Sequence, residues 1–262
     1  MSKKNMDIQH SALSTQHLRR YARHIVLPEI GEAGQSRLLA AKVLVIGAGG
    51  LGSAAIAYLA AAGVGKIGIV EPDRVELSNL QRQILFETAD IGRSKAASAR
   101  DRVQEVNPDC AVEIFEERLT WENANKLIRD FDIVVDGSDN FETRFVVSAA
   151  CLQEKKPLVS AAISGFSAQL STFKPYLGKP HPCYRCLVPE MPEREKSCVQ
   201  EGIIGPLAGM LGSMQALEVI KELLTIGESL SGNFLIIDAL AMDVRKVKLP
   251  HDSSCKFCFN IN

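Results

Sequence analysis

Three groups of residues have types and spacings that can do chemistry. The first is the turn Gly47-Ala-Gly-Gly-Leu-Gly52, a G-x-G-x-x-G pattern. Gly47, Gly49, Gly50 and Gly52 let the chain turn tightly and bring backbone N–H groups close to a phosphate. The second is a scattered charged set: Arg23, Arg82 and Lys95 with Asp139. Three cations can neutralise a triphosphate, and a carboxylate such as Asp139 can hold a magnesium ion that takes phosphate oxygens and waters. The third is Cys183-x-x-Cys186 with Cys255-x-x-Cys258, four thiolates in all. That is the ligand count of a closed tetrahedral zinc site, which has no position for water and is therefore structural.

Each group also has a plainer explanation. Taken alone, the glycine turn favours a nicotinamide or flavin dinucleotide. A dinucleotide pyrophosphate does not need three added cations plus magnesium, however, and this tilts the balance from NAD to ATP. Asp139 could instead cap the helix that opens at Phe141, with Asp136 and Asn140 in the same role. Arg23 belongs to a cationic run, Arg19, Arg20, Arg23 and His24, that can equally be a solvated helix face. Cys198, in a charged loop, is either a thiol nucleophile or an incidental thiol. Cys110 and Cys151 fit apolar surroundings, and His181 and His251 are superfluous beside four sulfurs.

The elements that must position these groups follow from hydrophobic periodicity. Val43–Ile46 reads as a strand covered on both faces, Ser53–Ala62 as an alanine-rich helix, and Lys66–Val70 as the next parallel strand. Glu71 follows at the spacing where a carboxylate holds ribose hydroxyls. Gly92 to Val106 reads as a helix with Lys95 in its first turn, where a cation is disfavoured unless an anion is bound nearby. Val112–Phe115 and Asp132–Asp136 read as further strands with a helix, Trp121–Arg129, between them, so Asp139 lies just past a carboxyl end, where doubly wound sheets bind ligands. Pro157–Ser164 and Ala168–Lys174 read as an antiparallel pair. A proline-rich stretch to Pro192 and a crossover loop to Gly205 precede a helix, Gly209–Leu224, and two strands, Asn233–Asp238 and Met242–Lys248. The fold class expected is α/β: a Rossmann-like, doubly wound, mostly parallel sheet continued by antiparallel strands and stapled by zinc. Leu18–Ile25 reads as a short helix after a disordered N-terminus, residues 1–17.

With 262 residues, 46% hydrophobic and 23% charged, the composition is that of an ordinary globular protein. A net charge of −1 gives no electrostatic support for nucleic-acid binding. Residues 43–65 carry no charge and are long enough to span a membrane, but their glycines make a βαβ unit the better reading. The polar stretch Met1–Asp7 leads into no apolar signal region, so a cytoplasmic location is expected.

Taken together, these residues resemble the MoeB/ThiF/HesA group, bacterial relatives of ubiquitin-activating enzymes, from about Leu18 to Cys258. The shared pieces are Arg20-Tyr-Ala-Arg23, the glycine turn, Leu77-Ser-Asn-Leu-Gln-Arg-Gln83, Gly92-Arg-Ser-Lys95, Asp136-Gly-Ser-Asp-Asn140, Pro182-Cys-Tyr-Arg-Cys186, the Cys198 loop, Gly205-Pro206 and the closing cysteine pair. The resemblance implies a single adenylation domain over 18–262, with a nucleotide-binding half, 41–150, and a carrier-binding and zinc half, 151–262. It implies Mg-ATP-dependent adenylation of the C-terminal glycine of a small ubiquitin-like, Gly-Gly-terminated sulfur carrier, with a separate sulfur donor of cysteine desulfurase or rhodanese type. It assigns Glu71 or Asp73 to the ribose, Asn79, Arg82 and Lys95 to the phosphates and Asp139 to magnesium, counts Asn140 among the cofactor-binding residues, and has Arg23 reach the γ-phosphate from the other subunit of a homodimer. Glu71 departs from the aspartate of many members. A MoeB-like role in molybdenum cofactor synthesis is expected. A ThiF-like role in thiamine thiazole synthesis is the first alternative, and an NAD-linked oxidoreductase the second.

Overall fold

The computed structural model describes residues 13–192 and 202–258. At its centre, β1 (Lys42–Ile46) sends alternate side chains to opposite sides: Val43 and Val45 into one apolar layer, Leu44 and Ile46 into another. Burial on both faces is why this strand is an unbroken aliphatic run. Around it lie β2 (Lys66–Val70), β3 (Ala111–Phe115), β4 (Ile133–Asp136), β5 (Leu158–Ser164), β6 (Ser167–Phe173), β7 (Asn233–Asp238) and β8 (Asp243–Lys248). The sheet order is β3-β2-β1-β4-β5-β6-β7-β8. Its first five members run parallel, and β5 through β8 pair antiparallel, as expected. The chain leaves β1 towards β2 and later returns to β4 on its other side, so a crevice opens at the carboxyl ends of β1 and β4.

Before β1 come α1 (Thr15–Arg20), α2 (Ala22–Ile25) and α3 (Gly31–Ala40). One layer over the sheet holds α4 (Gly50–Ala62), α5 (Lys95–Val106) and α9 (Gly205–Leu224). The other holds α6 (Ala124–Arg129), α7 (Phe141–Gln153) and α8 (Tyr184–Leu187).

Several boundaries differ from expectation. The segment expected to be disordered to residue 17 is helical from Thr15, because the Ser14 hydroxyl accepts from His17 N at 3.1 Å and caps α1. The helix expected at Ser53 opens at Gly50, so the end of the glycine turn is already helix and its unpaired N–H groups face the crevice. The helix expected at Gly209 begins at Gly205, with Pro206 in its first turn. Residues 43–65 divide into β1, turn and α4; among the described residues no helix is long and apolar enough to cross a membrane. Cys110 and Cys151 are buried, and burial pushes both thiols up, Cys110 to about 12. Cys198 lies outside the described residues.

Candidate functional site

At the carboxyl ends of β1, β2 and β4 lies a cleft of about 390 Å³. Gly47, Gly49, Gly50, Glu71, Asp73, Asn79, Arg82, Lys95, Asp139 and Asn140 all line it. The glycine turn is shaped by close backbone approaches. Gly47 has φ +86° and donates its N–H to Val70 O at 2.9 Å. Gly52 does not line the cleft; it lets the first turn of α4 lie directly against the Gly47 carbonyl.

Glu71 is buried, and its two oxygens accept from Ala48 N at 2.8 Å and Asp73 N at 2.9 Å. It braces the glycine turn. Burial pushes its carboxyl up, with nearby Lys95 opposing the shift. Asp73 is the more open carboxylate and stands 3.4 Å from the Lys95 ammonium. Lys95 opens α5 behind the Ser94 cap, with only 8% of its side chain exposed. A buried cation at a helix N-terminus opposes the dipole, so Asp73 on one side and an anion in the cleft on the other are its natural partners. Arg82 is oriented by donation to Ser78 O at 3.0 Å. Asn79 spends its carbonyl oxygen on Glu76 N, 3.3 Å away, closing a short 3-10 turn.

The Asp136–Asn140 turn is fixed from beneath. Asp136 is fully buried and accepts from Ser138 N at 3.0 Å, Ser138 Oγ at 2.6 Å and Ser160 Oγ at 2.7 Å. Asn140 caps α7 by accepting from Thr143 N at 2.8 Å, and its amide donates to Asp139 Oδ1 at 3.3 Å. The capping role therefore falls to Asn140, and Asp139 stands in the cleft wall.

Arg23 is elsewhere. Asn107 donates to the Tyr21 hydroxyl at 2.9 Å and to Ala60 O at 2.8 Å; His24 pairs with Gln35 at 3.0 Å, and Gln35 donates to Ala62 O at 3.0 Å. These bonds fasten α2 to the carboxyl end of α4, a helix of 13 residues. The glycine turn is at its other end, about 20 Å away at 1.5 Å per residue. One arginine side chain does not bridge that distance, and exposed Arg23 does not line the cleft of its own chain.

The four cysteines meet as expected. Cys183 Sγ lies 3.8 Å from Cys186 Sγ and 3.6 Å from Cys255 Sγ; Cys186 and Cys258 are 3.6 Å apart, and all four sulfurs fall within 4.8 Å of one another. Zinc–sulfur bonds of about 2.3 Å in a tetrahedron place sulfurs about 3.8 Å apart, whereas a disulfide needs about 2.05 Å. The donor set fits zinc. Hydrogen bonding from Cys183 holds the Cys186 thiol below its ordinary value.

Sequence reasoning missed a second groove, about 350 Å³, lined by Ser160, Ser171, Phe173, Tyr184 and Phe234 among others. It also missed Arg144, which with Asp139 and Ile163 lines both cavities. Arg144 lies in the first turns of α7, a cation near a helix N-terminus. The argument that singled out Lys95 would have found it.

The model of the ThiF family matches residues 21–257. The chain belongs to the ThiF family. This ThiF-family chain is 47% identical over 247 residues to a sulfur carrier protein adenylyltransferase of Thermus thermophilus, covering 93% of this chain and 91% of that protein. It is 42% identical to a probable molybdopterin-synthase adenylyltransferase of Porphyra purpurea, covering 91% of this chain and 62% of that protein. Among solved structures, E. coli MccB with MccA-N7isoAsn superposes with a TM-score of 0.82 at 23% identity, covering 96% of this chain and 77% of that one. This last likeness concerns the fold.

Proposed function

We propose that this ThiF-family enzyme uses ATP to adenylate the C-terminal glycine of a small ubiquitin-like sulfur carrier, in the service of molybdenum cofactor synthesis. One observation carries the reading: a single cleft gathers the glycine turn, Arg82, Lys95 and Asp139. The relatives named for sulfur-carrier and molybdopterin-synthase adenylylation favour it over the thiazole alternative. The NAD alternative is weakened by Glu71, whose two oxygens already serve backbone donors.

In this mechanism the carrier's carboxylate is the nucleophile. Its oxygen bonds to the α-phosphorus, the bond from that phosphorus to the α–β bridging oxygen breaks, and pyrophosphate leaves with the electron pair. No base is required; the chain must align the reactants and offset charge. The backbone N–H groups of the glycine turn cradle phosphate, and Arg82 and Lys95 neutralise it. Asp73 takes the ribose side, with Glu71 holding the turn behind it. Asp139, steadied by Asn140, holds magnesium, which would shield the triphosphate's charge. Arg23 of a second subunit in a homodimer reaches the γ-phosphate. The half from 41 to 150 binds nucleotide. The half from 151 to 262 binds carrier and holds a structural zinc at Cys183, Cys186, Cys255 and Cys258. A separate protein supplies the sulfur.

The test is exchange of labelled pyrophosphate into ATP. With magnesium and a Gly-Gly-terminated carrier, the protein should catalyse it, and Asp139→Ala should lower it on the order of 100-fold or more with the melting temperature unchanged. NADH oxidation without carrier-dependent exchange would overturn the reading.

A further inference from the structure

His251, superfluous in a count of four sulfurs, stands beside one of them. Its Nε2 lies 3.4 Å from Cys258 Sγ, a hydrogen-bond distance for a sulfur partner. Its Nδ1 is buried and has no hydrogen-bond partner among the described residues. The other histidine near the cysteine pairs, His181, instead pairs through Nδ1 with Ser231 Oγ at 2.8 Å.

The chain on either side holds this contact in place. Leu249, two residues before His251, is buried and donates its N–H to Gly232 O at 3.0 Å. Asp252 then closes a turn: its carboxylate accepts from Ser254 N at 2.8 Å and Ser254 Oγ at 2.7 Å, and its carbonyl accepts from Cys255 N at 3.2 Å. Phe257, next to Cys258, lies 4.3 Å from the Arg185 guanidinium, which also stands over Phe145 at 4.5 Å. The imidazole is thus anchored at its base and the sulfur at its neighbour, so their approach has a set geometry.

A neutral imidazole carries one N–H. On Nδ1 it would be a buried donor without a partner, and the Nε2 lone pair would face the sulfur. A zinc-binding sulfur is a thiolate and only accepts, so that arrangement sets lone pair against lone pair. On Nε2 the same proton gives Cys258 a donor. Four thiolates around one Zn2+ also leave a net negative centre, which a charge-assisted hydrogen bond stabilises. We propose that His251 is a positioning residue of the cysteine site, donating its Nε2–H to the Cys258 thiolate and so fixing that sulfur's direction and strengthening its hold on the metal. This inference rests on the zinc reading of the four cysteines.

The test uses the full chain loaded with Zn2+ or Co2+ alone. Long-range 1H–15N NMR of the zinc form should show His251 as the Nε2–H tautomer. His251→Leu should weaken zinc binding about tenfold or more, read by competition with a chromogenic chelator. In its cobalt form the sulfur-to-metal charge-transfer band should move to lower energy, because a thiolate without its donor gives up charge more readily. His251→Gln offers an amide N–H at the reach of Nε2 and should recover most of the affinity and the band position. His251→Asn, one methylene shorter, should not. A proton found on Nδ1, or wild-type affinity with an unshifted band in His251→Leu, would overturn the inference while zinc binding by the wild type left the metal reading intact. Lost affinity that His251→Gln does not restore, with the band unmoved, would reduce His251 to packing and also overturn it. A wild-type chain that takes up no metal would end the zinc reading and this inference with it.

Discussion

Gly52 offers a stringent test of how the cleft at the glycine turn is built. A Cβ there would sit 1.9 Å from Gly47 O and 2.9 Å from Gly47 C. An ordinary carbon–oxygen contact is about 3.3 Å, so Gly52→Ala falls short by about 1.4 Å. The obstructing atoms are backbone, and they belong to a turn tied to Val70 O and to Glu71, so no side chain can swing aside. Overpacking typically costs 1–3 kcal/mol, and this site should lie at or beyond the upper end, about 3 kcal/mol. For a chain of this size that lowers the melting temperature by roughly 6–12 °C. Gly49→Ala is the matched control: its nearest neighbour would be Gln83 Nε2 at 3.8 Å, an ordinary contact, and its φ of −72° is outside the left-handed region. It should melt within about 2 °C of wild type. Calorimetry with and without Mg-ATP reads both effects, because a ligand that binds only the native state raises its melting temperature. Gly52→Ala should lose stability and the ATP-dependent increment together. If it melted with wild type and kept the increment, the turn would not be held as described.

Three further outcomes follow from the same geometry. Burial raises the Glu71 carboxyl above its ordinary 4.5, so its contribution to stability is complete below that pH and is lost as pH rises through the raised value. Glu71→Gln should be about 1–3 kcal/mol less stable, because its amide faces a backbone N–H, and its urea-melt stability should fall less steeply with pH above 4.5; equal slopes would refute the assignment. The protein should carry one zinc, lost with a drop in melting temperature in Cys258→Ser and kept in Cys198→Ser; a metal-free native protein with four titratable thiols and unchanged melting would exclude the site. Arg23→Ala and Asp139→Ala should each be nearly inactive, yet refolding them together should restore roughly a quarter of wild-type sites in a two-fold dimer, and no recovery at any mixing ratio would return Arg23 to a surface role.

The sequence by itself determined the architecture and which residues meet in the candidate site. Aliphatic runs of strand length, glycines at turn spacing and two cysteine pairs depend on local chain geometry and residue chemistry, and these survive without knowledge of the neighbours. The α/β sheet with its antiparallel continuation, the gathering of Arg82, Lys95 and Asp139, and the meeting of four sulfurs were all legible this way. What only the tertiary structure decided concerns which partner each polar atom takes. Glu71 stands at a ribose spacing, but its oxygens are claimed by two backbone donors. Asp139 and Asn140 were equal candidates for the helix cap, and the cap went to Asn140. Arg23 was either part of a solvated helix face or a γ-phosphate ligand, and its anchorage at the far end of α4 keeps it out of its own chain's cleft. The second groove stayed hidden because the β5–β6 hairpin, α8 and β7 come from separate stretches of sequence, whereas Arg144, near the start of α7, lay within reach of the argument that singled out Lys95. Hydrogen-bond partners and cavities are set by approaches between such segments, and no local pattern records them.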